Sequence, residues 1–246
     1  VGRIALIDGD IVAYRCAASC EPTKTNPISE NERIAIARTD ELLDRILGTV
    51  KTAEYRIFLS GSENFRKLLY PDYKRNRDDI PKPRHLDTLR DLLVREWGAE
   101  VCAGYEADDG IGIAHVPGAV ICSIDKDFRQ IAGEHYNFVR EQSEVITPDE
   151  AALAFWSHML IGDTSDNVRG VAGIGTVKAG RHLQALRPSE MEARVYELYN
   201  DRERFLLNRK LLTILRSEEE YVNILEELGA TTVSESERPE TTAASS

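Results

Sequence analysis

Short apolar runs alternate with longer amphipathic stretches through the first 147 residues of the chain. Residues 3–8 (RIALID) form a β-rich run that ends in a carboxylate, and residues 11–18 read as helix. Residues 21–31 hold two prolines and read as a loop. Apolar positions at helical spacing predict a second helix over 39–50, followed by a strand at 55–59. The segment 70–84 (YPDYKRNRDDIPKPR) is polar, basic and broken by prolines, so it is expected as a loop or partly ordered arm. Over 86–97, Leu86, Leu89, Leu92, Leu93 and Trp97 share one helical face. A strand at 100–103, a helix at 107–115, an almost wholly apolar strand at 119–124 and a strand at 136–139 complete this part.

Strands alternating with helices, some of them apolar throughout, predict a mainly parallel α/β sheet covered on both faces. After Pro148 the pattern is helical only, at 150–161, 177–186, 189–199 and 202–215. A boundary is therefore expected near 148, between an α/β domain at 1–147 and a helical region at 148–230. Residues 231–246 are rich in Ser, Thr and Glu with almost no large apolar side chain, and are expected to be disordered. The chain opens on Val1, so either a starting methionine is removed or an upstream segment is absent.

With 246 residues, 42% of them apolar, the chain can bury one large core or two small ones. No run approaches the roughly 20 apolar residues of a membrane span, and no signal-peptide pattern opens the sequence. Cys16, Cys20, Cys102 and Cys122 are too few for a disulfide scaffold, and no second Cys/His pair completes a zinc site. These features exclude a secreted, membrane or zinc-finger protein and predict a cytoplasmic compartment. The formal charge of −11 argues against a nucleic-acid partner until its distribution is considered. Residues 217–246 carry −7, which leaves −4 for the rest, while residues 66–95 carry +4. A chain polarised in this way can meet a polyanion through its basic parts.

Four acidic groups stand out. Asp8 ends the first strand, with Asp10 just beyond; Glu106, Asp108 and Asp109 lie at a helix start in YEADDGIG. Asp125 and Asp127 follow the apolar strand, and Asp163 and Asp166 lie in LIGDTSDN. Taken singly, Asp10 fits a turn, Asp109 a helix cap and Asp163 an N-cap. Jointly, the first three groups fall where ligands of an α/β sheet collect, at the carboxyl ends of strands. Converging carboxylates repel unless they bind cations, and oxygen-only ligands suit Mg²⁺ or Mn²⁺. Two such ions are the usual apparatus for in-line attack on a phosphodiester. In 170–180 (GVAGIGTVKAG) glycines let backbone amides approach a phosphate, and Arg169, Lys178 and Arg181 add positive charge; a tight helix–helix turn is the plainer reading. Its glycine spacing fits neither a P-loop nor a dinucleotide fingerprint. The five histidines are scattered and read as surface or core residues.

The motifs LIDGD, FRKLLYPDYKRNR, YEADDGIG, SIDKDFRQI and LIGDTSDNVRGVAGIGTVKAG, in this order, resemble the 5′-nuclease family. That family comprises phage 5′–3′ exonucleases, flap endonucleases and the 5′-nuclease domain of bacterial DNA polymerase I. The resemblance implies a PIN-like, mainly parallel sheet flanked by helices, followed by an all-helical region with a helix–three-turn–helix at about 162–187. It implies that Asp8, Glu106, Asp108, Asp125 and Asp127 hold catalytic Mg²⁺ or Mn²⁺, two ions in all, that Asp109 belongs to the same metal-binding set and acts through water, and that Asp163 and Asp166 form its second acidic cluster. Tyr73, Lys74 and Arg77 match the base of an arch at about 70–95, the lysine and arginine acting on the scissile phosphate and the tyrosine stacking on a base; Arg75 adds to the basic arm. Gly170, Gly173, Gly175 and Lys178, with Arg169 and Arg181, match a clamp on the duplex backbone that also holds K⁺.

The resemblance thus implies a monomeric enzyme hydrolysing DNA at free 5′ ends and 5′ flaps, with water as nucleophile. A domain standing alone without a polymerase points to a phage genome, acting in the host cytoplasm. One position departs from the family pattern: where relatives carry a further metal-binding Asp, this chain has Ser60 or Gly61, with Glu63 nearby. Two rivals follow. A PIN-like ribonuclease is disfavoured by the helix–three-turn–helix. A catalytically weak, structure-specific DNA-binding protein is favoured by Ser60/Gly61 alone.

Overall fold

The computed structural model describes residues 2–24 and 27–229; the tail at 231–246, expected to be disordered, lies outside the described residues. The chain runs β1 (Ile4–Asp8), α1 (Gly9–Ala18), α2 (Glu32–Val50), β2 (Tyr55–Ser60), α3 (Phe65–Leu69), α4 (Leu86–Trp97), β3 (Glu100–Cys102), α5 (Ala107–Ala114), β4 (Ala119–Cys122), β5 (Gly133–Asn137) and β6 (Gln142–Ile146). It continues through α6 (Pro148–Ile161), the two-residue strands β7 (Gly162–Asp163) and β8 (Val168–Arg169), then α7 (Thr176–Leu183), α8 (Pro188–Tyr199), α9 (Arg202–Leu212) and α10 (Glu218–Glu227).

Among the described residues the main sheet has the order β3-β2-β1-β4-β5-β6, parallel except for the antiparallel edge strand β6. β1 and β4 are apolar on both faces because helices cover both. On one face Ile7, Val12, Leu43, Ile46, Leu89 and Leu93 join β1 to α1, α2 and α4. On the other, Leu6, Phe58, Ile111, Ile121 and Phe128 pack with α5, and Ile214 arrives from beyond α9. A third cluster, including Met159, Leu183, Val195 and Phe205, holds the later helices together. The mainly parallel α/β sheet expected from the pattern is therefore the fold.

The chain leaves β1 toward β2 and β3 on one side, then returns to β4 on the other. Between β1 and β4 lies the crevice where ligands of such sheets bind. The register pairs Ile7 with Cys122, so Asp8 and Ser123 emerge side by side at its mouth.

Several elements differ from expectation. α2 starts at Glu32, capped by Asn31, rather than at 39; Ile34 is exposed, which obscures the apolar stripe. β6, an exposed edge strand with one buried residue, carries no periodic signal, and α10, missed among the acidic residues, sets Tyr221, Ile224 and Leu225, with Leu228 at its cap, on one half-buried face. Helix only was expected after Pro148, yet β7 and β8 pair across the turn after α6. Gly162, at φ 75°, and Gly170 make that pairing possible: a Cβ on Gly162 would stand 2.1 Å from the Gly170 nitrogen. Residues 86–95, expected as part of the arch, belong to α4, whose Leu89 and Leu93 are fully buried against the core.

Candidate active site

One cleft opens at the carboxyl ends of β1 and β4, and Tyr73, Lys74, Arg77, Glu106, Asp108, Asp125, Asp127, Asp163 and Asp166 all line it. Asp8 lies behind this lining, 2% exposed, as the N-cap of α1. Its oxygens accept from the Ile11 amide at 3.0 Å and from the Ser123 hydroxyl at 2.8 Å. Burial pushes its carboxyl up to about 7, against the Ile11 hydrogen bond and with the charge of Asp10. Asp108, in the first turn of α5, is pushed well above the usual carboxylate range by burial and by Asp8, Asp125 and Glu106. Asp125 caps the turn after β4, accepting from the Asp127 amide at 2.8 Å. Ser123 ties the strand ends together, donating to Asp8 and accepting from the Asp125 amide at 3.1 Å.

The other end of the cleft supplies its own cations. Lys74 pairs with Glu106 and lies 3.7 Å from Asp166; Arg77 pairs with Asp166 at 2.5 Å. The Tyr73 hydroxyl lies 2.9 Å from both Glu106 Oε2 and Asp166 Oδ2 and shares its one proton between them. Burial works against ionised Glu106, but Lys74 and then Arg66 more than offset it and hold its carboxyl below the usual range. The arm is fastened to the acidic loop along its backbone as well. The Lys74 amide donates to the Asp166 carbonyl at 3.0 Å, Asn76 to Thr164 at 2.9 Å, Arg77 Nε to Ser165 at 3.0 Å, and Asn167 to Asp72 at 3.0 Å. Lys74 adopts φ 57°, a left-handed conformation that a non-glycine residue rarely takes. Residues 72–77 and 163–167 are thus one structural unit.

His158 of α6 stands between Asp127 and Asp163, with Nδ1 3.6 Å from Asp127 Oδ1 and Nε2 3.3 Å from Asp163 Oδ2. Burial raises Asp127 to about 6 despite His158. For Asp163 the balance reverses: burial is outweighed by His158 and Ser165, which hold its carboxyl well below the usual range. The Ser165 amide donates to Asp163 at 2.7 Å and the Asp166 amide at 3.1 Å, which fits the N-cap-like turn expected of Asp163.

Three assignments made from the sequence are corrected. Asp109 is no metal ligand: it is fully buried, and both its oxygens are taken by Arg66, at 2.5 and 2.8 Å, and by the amides of Glu106 and Leu215. It completes a capping box with Glu106 at the start of α5, the plainer reading of that residue. Tyr73 does not stack on a base, because it is 2% exposed in the core of the helical region. Its polar tip alone reaches the cleft. His158, dismissed with the other histidines, lies among the carboxylates; α6 places it five residues before Asp163, a signal visible only once the helix is known to end at Ile161.

Sequence reasoning also passed over Arg66, Ser123, Asn76 and Asn167. Arg66, 3% exposed, anchors the end of α9 by donating to the carbonyls of Leu211 at 2.9 Å and Thr213 at 2.7 Å. Where a further Asp was expected, the Ser60 hydroxyl accepts from the Ala107 amide at 2.9 Å, helping to hold the start of α5. Gly61 cannot carry a carboxylate there, since its Cβ would lie 2.4 Å from the Cys102 carbonyl. Asp10 bridges to Arg90 and to the Ser60 amide at 2.9 Å, a structural role.

The cationic and glycine positions of the second motif lie outside the cleft. Arg169, Gly173, Gly175, Lys178 and Arg181 are exposed on the turn and on α7, and Gly170 is half-buried. Arg204 and Asn208 of α9 hold this turn by the Arg169 and Gly170 carbonyls. Lys178 Nζ donates to the Gly173 carbonyl at 2.7 Å, so that oxygen already has a cationic partner. Arg75 is exposed and paired with Asp72 at 2.9 Å. No helix of the described residues is long and apolar enough to cross a membrane.

The donor set at the β1–β4 mouth fits a hard divalent cation. Asp8, Asp108 and Asp125 are all oxygen donors, and among the described residues no cationic side chain is bonded to them, Lys74 acting on Asp108 only from a distance. The described residues also group Asp127, His158 and Asp163 with ligand atoms within 4.8 Å of one another.

The family model for the 5′-3′ exonuclease N-terminal resolvase-like domain matches residues 3–155. The chain is 31% identical over 205 residues to the flap endonuclease Xni of Shewanella baltica (strain OS185), covering 76% of each. It is 29% identical over 201 residues to the thermostable DNA polymerase I of Thermus caldophilus, covering 74% of this chain and 24% of that one. Its fold matches that of a T5 5′-exonuclease with bound zinc, at TM-score 0.68 and 16% identity over 93% of this chain and 98% of that one. It also matches the bacteriophage T5 D15 flap endonuclease in complex with DNA and metal ions, at TM-score 0.67 and 15% identity over 92% and 97%. These matches establish that the chain belongs to the 5′–3′ exonuclease family, whose N-terminal resolvase-like domain it carries at residues 3–155.

Proposed function

We propose that the chain hydrolyses phosphodiester bonds of DNA at or near free 5′ ends, as a 5′–3′ exonuclease and 5′-flap endonuclease dependent on Mg²⁺ or Mn²⁺. The observation that carries this reading is the group of mutually repelling carboxylates, Asp8, Asp108 and Asp125, set beside the cationic pair Lys74 and Arg77 in one cleft. The Shewanella relative is named a flap endonuclease, which agrees.

In this reading Asp8, Asp108 and Asp125 hold one ion, and Asp127, Asp163 and Asp166 provide for a second, with Glu106 between them. A bound divalent ion lowers the pKa of an attacking water and stabilises the leaving oxygen. Lys74 and Arg77 lie at the lip of the cleft, 21% and 47% exposed, where they can meet a phosphate once Glu106 and Asp166 turn to a cation. Tyr73 keeps Glu106 and Asp166 at a fixed separation rather than touching a base. Outside the cleft, the amides of Gly170, Gly173 and Gly175 and the charges of Arg169, Lys178 and Arg181 contact phosphates of the duplex, with Arg75 on the arm. K⁺ at this turn belongs to the same reading. Phosphate contacts carry no base information, so cleavage follows DNA structure rather than sequence.

The test is cleavage of a 5′-flap DNA labelled separately at each end, with Mg²⁺, with Mn²⁺ and with EDTA. Metal-dependent product released from the 5′ side is expected, and it should vanish in Asp125→Ala and Asp127→Ala while DNA binding survives. Binding without cleavage by the unaltered chain would establish instead a structure-specific DNA binder. Preference for an RNA of the same sequence would establish a ribonuclease.

A further inference from the structure

We propose that His158 is a metal ligand, giving the Asp127–Asp163 end of the cleft a mixed nitrogen–oxygen donor set that selects Mn²⁺, Co²⁺ or Zn²⁺ over Mg²⁺. This rests on the metal-dependent reading above and narrows it to one residue of this chain. Three elements bring the donors together. α6 carries His158 in its last turn, and Gly162, at φ 75°, folds the chain back so that Asp163 returns beside the ring. The turn after β4 contributes Asp127, and α6 packs directly on that turn. The imidazole lies 3.6 Å from Asp127 and 3.3 Å from Asp163, and the three ligand atoms lie within 4.8 Å of one another. Donors each about 2.0–2.2 Å from one ion stand up to roughly 4.4 Å apart, so only a small closure is needed.

A second observation points the same way. His158 Nε2 is buried without a hydrogen-bond partner, although a carboxylate oxygen is near. Held by a distant ion pair rather than a well-formed hydrogen bond, this buried nitrogen gains a firm partner on ligation. The nearest competing cation is Lys126, 3.8 Å from Asp163 and 75% exposed, which is free to swing away.

Chemistry sets the selectivity. The Asp8–Asp108–Asp125 end offers oxygen only and suits Mg²⁺. Replacing one oxygen donor by imidazole favours first-row ions later in the Irving–Williams order. The two ends of one cleft therefore differ in the ion they prefer.

The test is pulsed electron paramagnetic resonance of the full chain at one Mn²⁺ per molecule, with calorimetric titration of Mn²⁺ and Mg²⁺. Nitrogen modulation from a directly bound imidazole is expected, and it should disappear in His158→Gln with Mn²⁺ affinity at least about tenfold weaker. A second variant, His158→Glu, restores an all-oxygen set and should bind Mg²⁺ while losing the preference for Mn²⁺. Circular dichroism checks that both variants fold. Mn²⁺ bound without nitrogen modulation would overturn the proposal and leave the metal-dependent reading intact, His158 then being an ion-pair partner of Asp127 and Asp163. Failure of the unaltered chain to bind either ion would overturn both.

Discussion

At one end of the cleft Asp8, Asp108 and Asp125 face one another across the carboxyl ends of β1 and β4, their charges opposed by hydrogen bonds from Ser123 and the Ile11 and Asp127 amides and, weakly at Asp108, by Lys74. At the other end Glu106, Asp163 and Asp166 each meet a positive or protonatable partner that the protein itself carries: Lys74, His158 and Arg77. The difference shows in the carboxyls themselves. Asp8 and Asp108 are driven up, whereas Glu106 and Asp163 are held down; Asp127, at the second end, is nonetheless raised, to about 6, by burial. A buried carboxylate group without a countercharge destabilises the fold that contains it, so the first end depends on a cation from outside. The second end is held by the protein's own charged partners until a metal ion takes their place.

The contrast can be broken from the frame inward. Arg66→Met would leave Asp109 buried and unpaired and release the end of α9, at a cost of about 3–5 kcal/mol in urea unfolding. A loss below about 1 kcal/mol would mean that this pair does not hold the two parts together. Lys74→Ala converts the paired end toward the repelling one. It should cost about 1.5–3 kcal/mol in EDTA, and added Mg²⁺ should recover much of that loss. If Mg²⁺ recovers nothing, Glu106 is a purely structural carboxylate. Arg77→Ala should be the mildest change, about 0–1 kcal/mol, because Arg77 is 47% exposed and solvent already screens its pair with Asp166. An effect as large as that of Lys74→Ala would show that the arm is held by charge rather than by its backbone contacts with residues 163–167.

The two ends were not equally legible in the sequence. The repelling end is written in local signals: buried strands such as IALID and AVIC run straight into Asp8 and toward Asp125, and parallel pairing sets them side by side. The paired end depends on side-chain contacts such as Lys74 with Glu106, 32 residues apart, and Arg77 with Asp166, 89 apart, and no local spacing announces those. Asp109 was misread because two adjacent acids at a helix start look alike. Only tertiary structure shows that one faces the cleft and the other faces Arg66 beneath it. Tyr73 was misread for a related reason: the arm looks polar and free, yet it folds onto apolar neighbours of the helical region. β6 is short and exposed, with no alternation to read, whereas α10 carries Tyr221, Ile224 and Leu225, with Leu228 at its cap, at helical spacing and was passed over among its acids.

The most direct test of the contrast is thermal melting of the unaltered chain and of Asp108→Asn, each in EDTA and in Mg²⁺. Neutralising one member of a repelling group should raise the melting temperature in EDTA, by roughly 2–4 °C per kcal/mol relieved, and abolish most of the increase that Mg²⁺ gives the unaltered chain. If Asp108→Asn instead melts lower in EDTA and keeps the full Mg²⁺ increment, Asp108 is a structural carboxylate and the cleft between β1 and β4 does not bind the cation.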